Sequence, residues 1–193
     1  MLELRKKYKS GSAAEIIRDA ILSGEISGEI SQNDFADSLG ISRIPVREAL
    51  ISLEYQGLIE RLSNQHVKII NLNEESIKNI FQDMSLLEIE VLKNLNDKKL
   101  QQLSLLKNQM DFHRELYKSV NSPLRMNFLK IITETYLSFL FERSYSENLN
   151  SVFENLQHSL KDKNILKASY IIYSEVLTSE FSRIINHVES KTS

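Results

Sequence analysis

A mainly α-helical chain in two parts, short helices with tight turns followed by long helices, is predicted by three observations. All five glycines fall within the first 57 residues, and beyond Gly57 the only strong helix breaker is Pro123. Apolar residues recur at helical spacing through most of the 193 residues. β-branched alternation is confined to one stretch, HVKII at residues 66–70, just after the polar tripeptide SNQ.

The N-terminal elements follow in order. Residues 12–23, SAAEIIRDAILS, put Ala13, Ile16, Ile17, Ala20 and Ile21 on one stripe, and Gly24 stops the helix. GEISGEIS is too short between its glycines for a helix and reads as a turn with a short strand at residues 29–31. Ser31 is placed to cap a second helix, QNDFADSLG, with Phe35, Ala36 and Leu39 inward and Gly40 at its end. The tight connection GIS then leads to a third helix over residues 42–57, which makes a helix-turn-helix. Ser42 is its expected cap, and Pro45 falls at the third helical position, where a missing N–H costs nothing. The cap is therefore expected to bond the Ile44 N–H. At about 100° per residue, Val46, Ala49, Leu50 and Leu53 share the packing face, while Arg43 and Arg47 lie together away from it. LIERL, SNQ and HVKII then form a hairpin with Asn64 at its tip, completing a winged helix-turn-helix.

From Asn73 onward only helices are expected, at residues 73–95, 97–121, 124–144, 149–162 and 164–190. The last carries Ile172, Val176, Leu177, Phe181, Ile184, Ile185 and Val188, a broad stripe suited to a subunit interface as well as a core. The predicted fold is thus an N-terminal winged helix-turn-helix domain, residues 1–72, followed by an all-helical C-terminal domain, residues 73–193.

Composition narrows the function. The chain has no cysteine, which excludes disulfides and thiolate metal sites and suits a reducing cytosol. Its N-terminus lacks the apolar core of a signal peptide, and no apolar run approaches the ~20 residues of a spanning helix. A cytoplasmic protein without a membrane partner is expected. With no glycine-rich phosphate loop and no catalytic pairing of convincing spacing, an enzyme is not expected, nor a cofactor. Residues 1–72 hold nine Lys/Arg against ten Asp/Glu, so nucleic-acid binding depends on where the cations sit rather than on their excess. Four of them, Arg5, Lys6, Lys7 and Lys9, precede the first helix, and two front the third. The near-neutral charge also fits an alternative, a winged helix used for protein interaction beside a purely dimerising helical domain.

IRDAILSGEI followed by FADSLGISRIPVREALISLEYQGLI resembles the winged-helix domain of GntR-family bacterial transcription regulators, whose motif runs SR-x-PVREAL-x-x-L-x-x-x-GL. FHRELYKSVNSPL, residues 112–124, resembles the helical effector domain of the FadR-like branch. The resemblance implies a homodimeric regulator, a repressor, binding a pseudo-palindromic double-stranded DNA operator. Arg43 and Arg47 stand at the family's DNA-contacting arginines, and a guanidinium suits guanine O6 and N7 or a phosphate. Ser42, Asn33 and Lys68 are further expected DNA contacts. Ile44 stands where the family often has threonine, Asn33 where it has an arginine, and Asn64 where the wing tip has glycine. The FadR-like domain often holds a divalent metal through an Asp and a His one helical turn apart and two later histidines. Here His113 matches the first histidine, but Gln109 replaces the Asp, and Phe153 and Val176 replace the other two. No metal is therefore expected, and His113 with Gln109 would instead face a small carboxylate-like effector.

Overall fold

The computed structural model describes residue 4 and residues 11–63, 66–160 and 162–192. The chain divides into two compact units, one of residues 1–72 with 185–193 and the other of residues 73–184.

The first unit is built from α1 (Ala13–Leu22), β1 (Glu29–Ser31), α2 (Gln32–Leu39), α3 (Arg43–Tyr55), β2 (Ile59–Arg61) and β3 (His66–Ile69). Local chemistry sets each boundary. Ser12 and Glu15 form a reciprocal capping box at the start of α1, and Ser31 and Asp34 form the same box on α2. At the end of α2 Gly40 takes a left-handed φ of 63°, so that the Ile41 N–H reaches back to the Ala36 carbonyl at 3.1 Å. Gly57, at φ 74°, turns the chain out of α3 in the same way, with the Leu58 N–H bonded to the Leu53 carbonyl.

The expected inward residues are inward, except that Ala13 is only half-buried. Ile16, Ile17, Ala20 and Ile21 of α1, Phe35, Ala36 and Leu39 of α2, and Val46, Ala49, Leu50 and Leu53 of α3 are all buried. Ile30, Ile59, Val67 and Ile69 carry that core onto the sheet. The strand at residues 29–31 does form, and it enlarges the hairpin into a three-stranded antiparallel sheet of order β1-β3-β2. Ile30 lies opposite Val67, and Ile59 opposite Ile69, which keeps the apolar set on one face.

One local expectation is corrected. Ser42 has the extended backbone of a cap, yet its hydroxyl makes no capping bond. A cap oxygen is ordinarily taken by the second or third N–H of the helix, and Pro45 has removed the third. The Ile44 N–H alone does not draw it in.

The second unit contains α4 (Glu74–Lys93), α5 (Asp97–Ser104), α6 (Gln109–Lys118), α7 (Pro123–Ile131), a π-helical segment Ile132–Leu137, α8 (Ser138–Phe141) and α9 (Glu147–Ser159). The last helix, α10 (Lys163–Thr192), starts in this unit and continues past residue 184. Two boundaries differ from expectation. The stretch 97–121 is two helices rather than one, because Asn108 accepts from the Asp111 N–H at 3.1 Å and starts a new helix. The stretch 124–144 continues unbroken but widens to π geometry over ITETYL, where Ile132, Thr133, Thr135, Tyr136 and Leu137 are buried.

The core of this unit is aromatic. Phe81 and Phe139 pack on Phe181 with ring centroids 5.9 and 5.6 Å apart, and Phe112 meets Phe153 edge to face at 5.3 Å. On α10 the buried line runs through Leu166, Tyr170, Tyr173, Leu177 and Phe181. Ile172, on the stripe suited to a subunit interface as well as a core, is 53% exposed. No helix among the described residues is long and apolar enough to cross a membrane.

Candidate nucleic-acid interface

The N-terminal turns of α3 form one wall of a cleft of about 480 Å³, lined from this helix by Arg43, Ile44 and Arg47. Gln32, at the start of α2, also borders it. Arg61 and Leu62 at the end of β2 and His66 at the start of β3 complete the lining. The arginines are placed there by the burial of Val46, Ala49, Leu50 and Leu53, which fixes the rotation of α3 and turns Arg43 and Arg47 outward. Both are exposed, and neither has an ion-pair or side-chain hydrogen-bond partner among the described residues. Ile44 between them is 72% exposed, an apolar tip.

The other two basic side chains of the cleft are restrained. Arg61 Nε lies 2.7 Å from Glu54 Oε2, a close ion pair whose N–H is not aimed along a hydrogen-bond direction. His66 Nδ1 is 2.9 Å from Glu29 Oε1. The cleft therefore offers two unrestrained guanidinium groups backed by two side chains already tied to carboxylates. Such a surface suits a ligand that carries many negative charges in a row.

The expected contacts do not all gather here. Arg43, Arg47 and Ile44 line the cleft, while Ser42 is exposed at the start of the same helix with its hydroxyl uncommitted. Asn33 is exposed on α2, but its neighbour Gln32 is the residue that borders the cleft. Lys68 lies opposite both Glu29 and Glu60 in the sheet, so two carboxylates share its face. Asn64 lies outside the described residues, as do Arg5, Lys6, Lys7 and Lys9. Sequence reasoning missed Gln32, Arg61 and His66. The alternation of LIERL and HVKII could not by itself say which side of the strands met the helix.

In the second unit His113 is fully buried. Its Nδ1 is 2.8 Å from Glu88 Oε1 and its Nε2 is 3.0 Å from the Tyr173 hydroxyl, which donates to Gln109 Oε1 at 2.8 Å. Burial pushes the Tyr173 phenol well up, with the Glu88 charge adding to the effect. Both ring nitrogens of His113 are thus engaged within the core, and neither is presented to a ligand. Phe153 packs edge to face on Phe112 and at a tilt on Tyr173. These residues do not fit a divalent metal: the one imidazole of the set is committed on both sides, and a phenyl ring fills a ligand position. Among the described residues no group of three or more His, Cys, Asp or Glu could hold such an ion. Gln109 instead borders a polar recess of about 220 Å³ that Lys107, Ser144 and Asn150 also line.

A helix-turn-helix with an attached sheet, presenting unpaired arginines from the front of its third helix, defines a winged-helix DNA-binding protein. Residues 9–69 match the family model of bacterial regulatory proteins, gntR family. Residues 9–69 therefore carry a DNA-binding domain of the gntR type. It is 22% identical over 165 residues to YdhC of Bacillus subtilis, an uncharacterised HTH-type transcriptional regulator, covering 84% of this chain and 71% of that one. Among solved structures it is similar to Lar, described as controlling expression of the Listeria monocytogenes agr system and mediating virulence. That match has a TM-score of 0.56 at 15% identity and covers 89% of this chain and 95% of the other. McbR/YncC of E. coli matches over the whole of both chains at 18% identity with a TM-score of 0.48.

Proposed function

We propose that this protein is a transcription regulator that reads a pseudo-palindromic operator as a homodimer, with Arg43 and Arg47 making the sequence-reading contacts from the major groove. The observation that carries this is the pair of exposed, unpaired guanidinium groups on the first two turns of α3, facing one cleft. A guanidinium with no internal partner keeps its donors for guanine O6 and N7, the bidentate arrangement that distinguishes bases. On this reading Ile44 suits a thymine methyl, and Ser42, Asn33 and Lys68 bond phosphates. One recognition helix covers only a few base pairs, so two copies related by a two-fold axis are needed for a usable site.

On this reading residues 1–72 are the DNA-binding domain and residues 73–193 dimerise and sense a ligand, as in the FadR-like branch. The exposed Ile165 and Ile172 on α10, one above the other at a seven-residue spacing, support a dimer face there. Lys107 at the polar recess supplies a cation for a small carboxylate effector beside Gln109, whose amide is already bonded to Tyr173 and Asn150, whereas His113 serves the core. We assign the protein to the cytoplasm and to repression. Selection of bound sequences from random DNA, followed by mobility shift with the parent and with Arg43→Ala and Arg47→Ala, tests the central claim. Selection of symmetric half-sites, and loss of that preference in both variants, is the expected result. Equal binding of parent and Arg47→Ala to the selected site would refute it.

A further inference from the structure

We propose that His66 contacts a DNA phosphate in its protonated form, so that DNA binding by this protein takes up a proton. The inference rests on the DNA-binding role of the cleft, and it follows from what each ring nitrogen of His66 can do. Glu29 Oε1 lies 2.9 Å from Nδ1, and an ionised carboxylate only accepts, so Nδ1 carries a hydrogen. Nε2 has no partner among the described residues, and the ring lines the same cleft as Arg43, Arg47 and Arg61. In the neutral ring Nε2 is then a bare acceptor. A phosphodiester oxygen is also only an acceptor, so the two cannot bond until the ring gains its second proton.

The charges around His66 set the direction. Glu29 faces it from β1, and Asp34 lies near it on α2, its carboxyl held below the usual range by the Ser31 hydroxyl first and by His66 in smaller part. Lys68 is two residues along on β3 beside Glu60 of β2, Arg61 comes from β2, and Arg43 and Arg47 from α3. A phosphate seated in the cleft adds negative charge beside the ring and favours its charged form. The DNA complex therefore holds the proton more tightly than the free protein does. By linkage the association constant falls as pH rises, by at most about tenfold per pH unit for one proton. Imidazole is the side-chain type in this set that exchanges its proton between about pH 5 and 8.

The test uses the 193-residue chain and a duplex selected from random DNA, with affinity measured by fluorescence anisotropy across that pH range at constant ionic strength. The parent should lose affinity as pH rises, approaching tenfold per unit. His66→Gln, which cannot gain charge, should bind as the parent does at the alkaline end and show no slope. His66→Arg, permanently charged, should keep the acid-side affinity across the whole range. Circular dichroism of each variant establishes that it is folded. A flat pH profile for a DNA-binding parent would overturn the proposal, as would a slope that persists in His66→Gln. If neither the parent nor His66→Arg binds DNA at any pH, the DNA-binding role of the cleft itself fails. A slope in a protein whose Arg47→Ala variant binds normally would leave the phosphate contact standing and refute the reading by Arg47.

Discussion

Arg47 sits one turn into α3 with a guanidinium that no carboxylate among the described residues engages. Its replacement by alanine removes donors without freeing a buried partner, so the fold should be unaffected. Operator affinity should fall by about 1–3 kcal/mol and discrimination at one base position should relax, as read by mobility shift on substituted operators. Arg47→Lys should not restore discrimination, because an ammonium cannot bond two acceptors in the fixed fork of a guanidinium. His113 is the opposite case. It has no exposure, and alanine in its place would leave the buried Glu88 carboxyl without its imidazole partner and take from the Tyr173 hydroxyl one of its two bonds. Breaking a buried pair of this kind costs about 3 kcal/mol or more, and the variant's urea midpoint should drop accordingly. The contrast separates two histidines that look alike in the sequence: His113 supports the core, and His66 opens on the cleft.

At the scale of elements, α2, α3 and the turn between them decide where the arginines point. Gly40 holds a left-handed conformation that lets α2 stop and α3 leave at a fixed angle. Gly40→Ala should cost about 1–2 kcal/mol in chemical denaturation, the penalty of a β-carbon in that region, and should weaken DNA binding by misdirecting α3. These elements were legible in the sequence because their signals are local: Ser31 with Asp34, Gly40, Gly57 and the stripe of Val46, Ala49, Leu50 and Leu53 each specify structure within a few residues. The break at Asn108 was harder to see, since SLLKNQMD has neither glycine nor proline and only the Asn108 side chain marks the new start. The cleft was legible in part. Arg43 and Arg47 lie on the element that the motif defines, whereas Arg61 and His66 depend on a strand register that joins residues far apart in sequence. Sequence also showed the position of His113 but not its partners, because Glu88 and Tyr173 reach it from other helices, 25 and 60 residues away.

Across the whole molecule, stability should depend on pH through carboxylates that the fold keeps ionised. Hydrogen bonding to Arg114 is the main reason that Glu134 lies below its ordinary value of 4.5, and Tyr117 adds to it. The Arg114 guanidinium meets both oxygens, with Nε to Oε1 at 2.8 Å and Nη2 to Oε2 at 2.7 Å, which ties α6 to the π-helical segment. Glu115 is lowered chiefly by Lys99, and Glu15 chiefly by the Ser12 backbone N–H. Each of these groups binds its proton less readily when folded than when unfolded. Their contribution is therefore fully present above the unfolded value and is lost as pH falls through the lower, folded one. The urea midpoint should stay level from neutral pH down to about 5 on account of these carboxylates and then decline below about 4. Glu134→Gln isolates one part of that decline. It should lower stability at pH 7 by about 1 kcal/mol or less, since both partners are partly exposed to water, and leave it nearly unchanged in acid. Denaturation of parent and variant at both ends of this range checks the sign: the two curves should converge as pH falls, and a gap that widened in acid would mean that Glu134 is not held ionised by the fold.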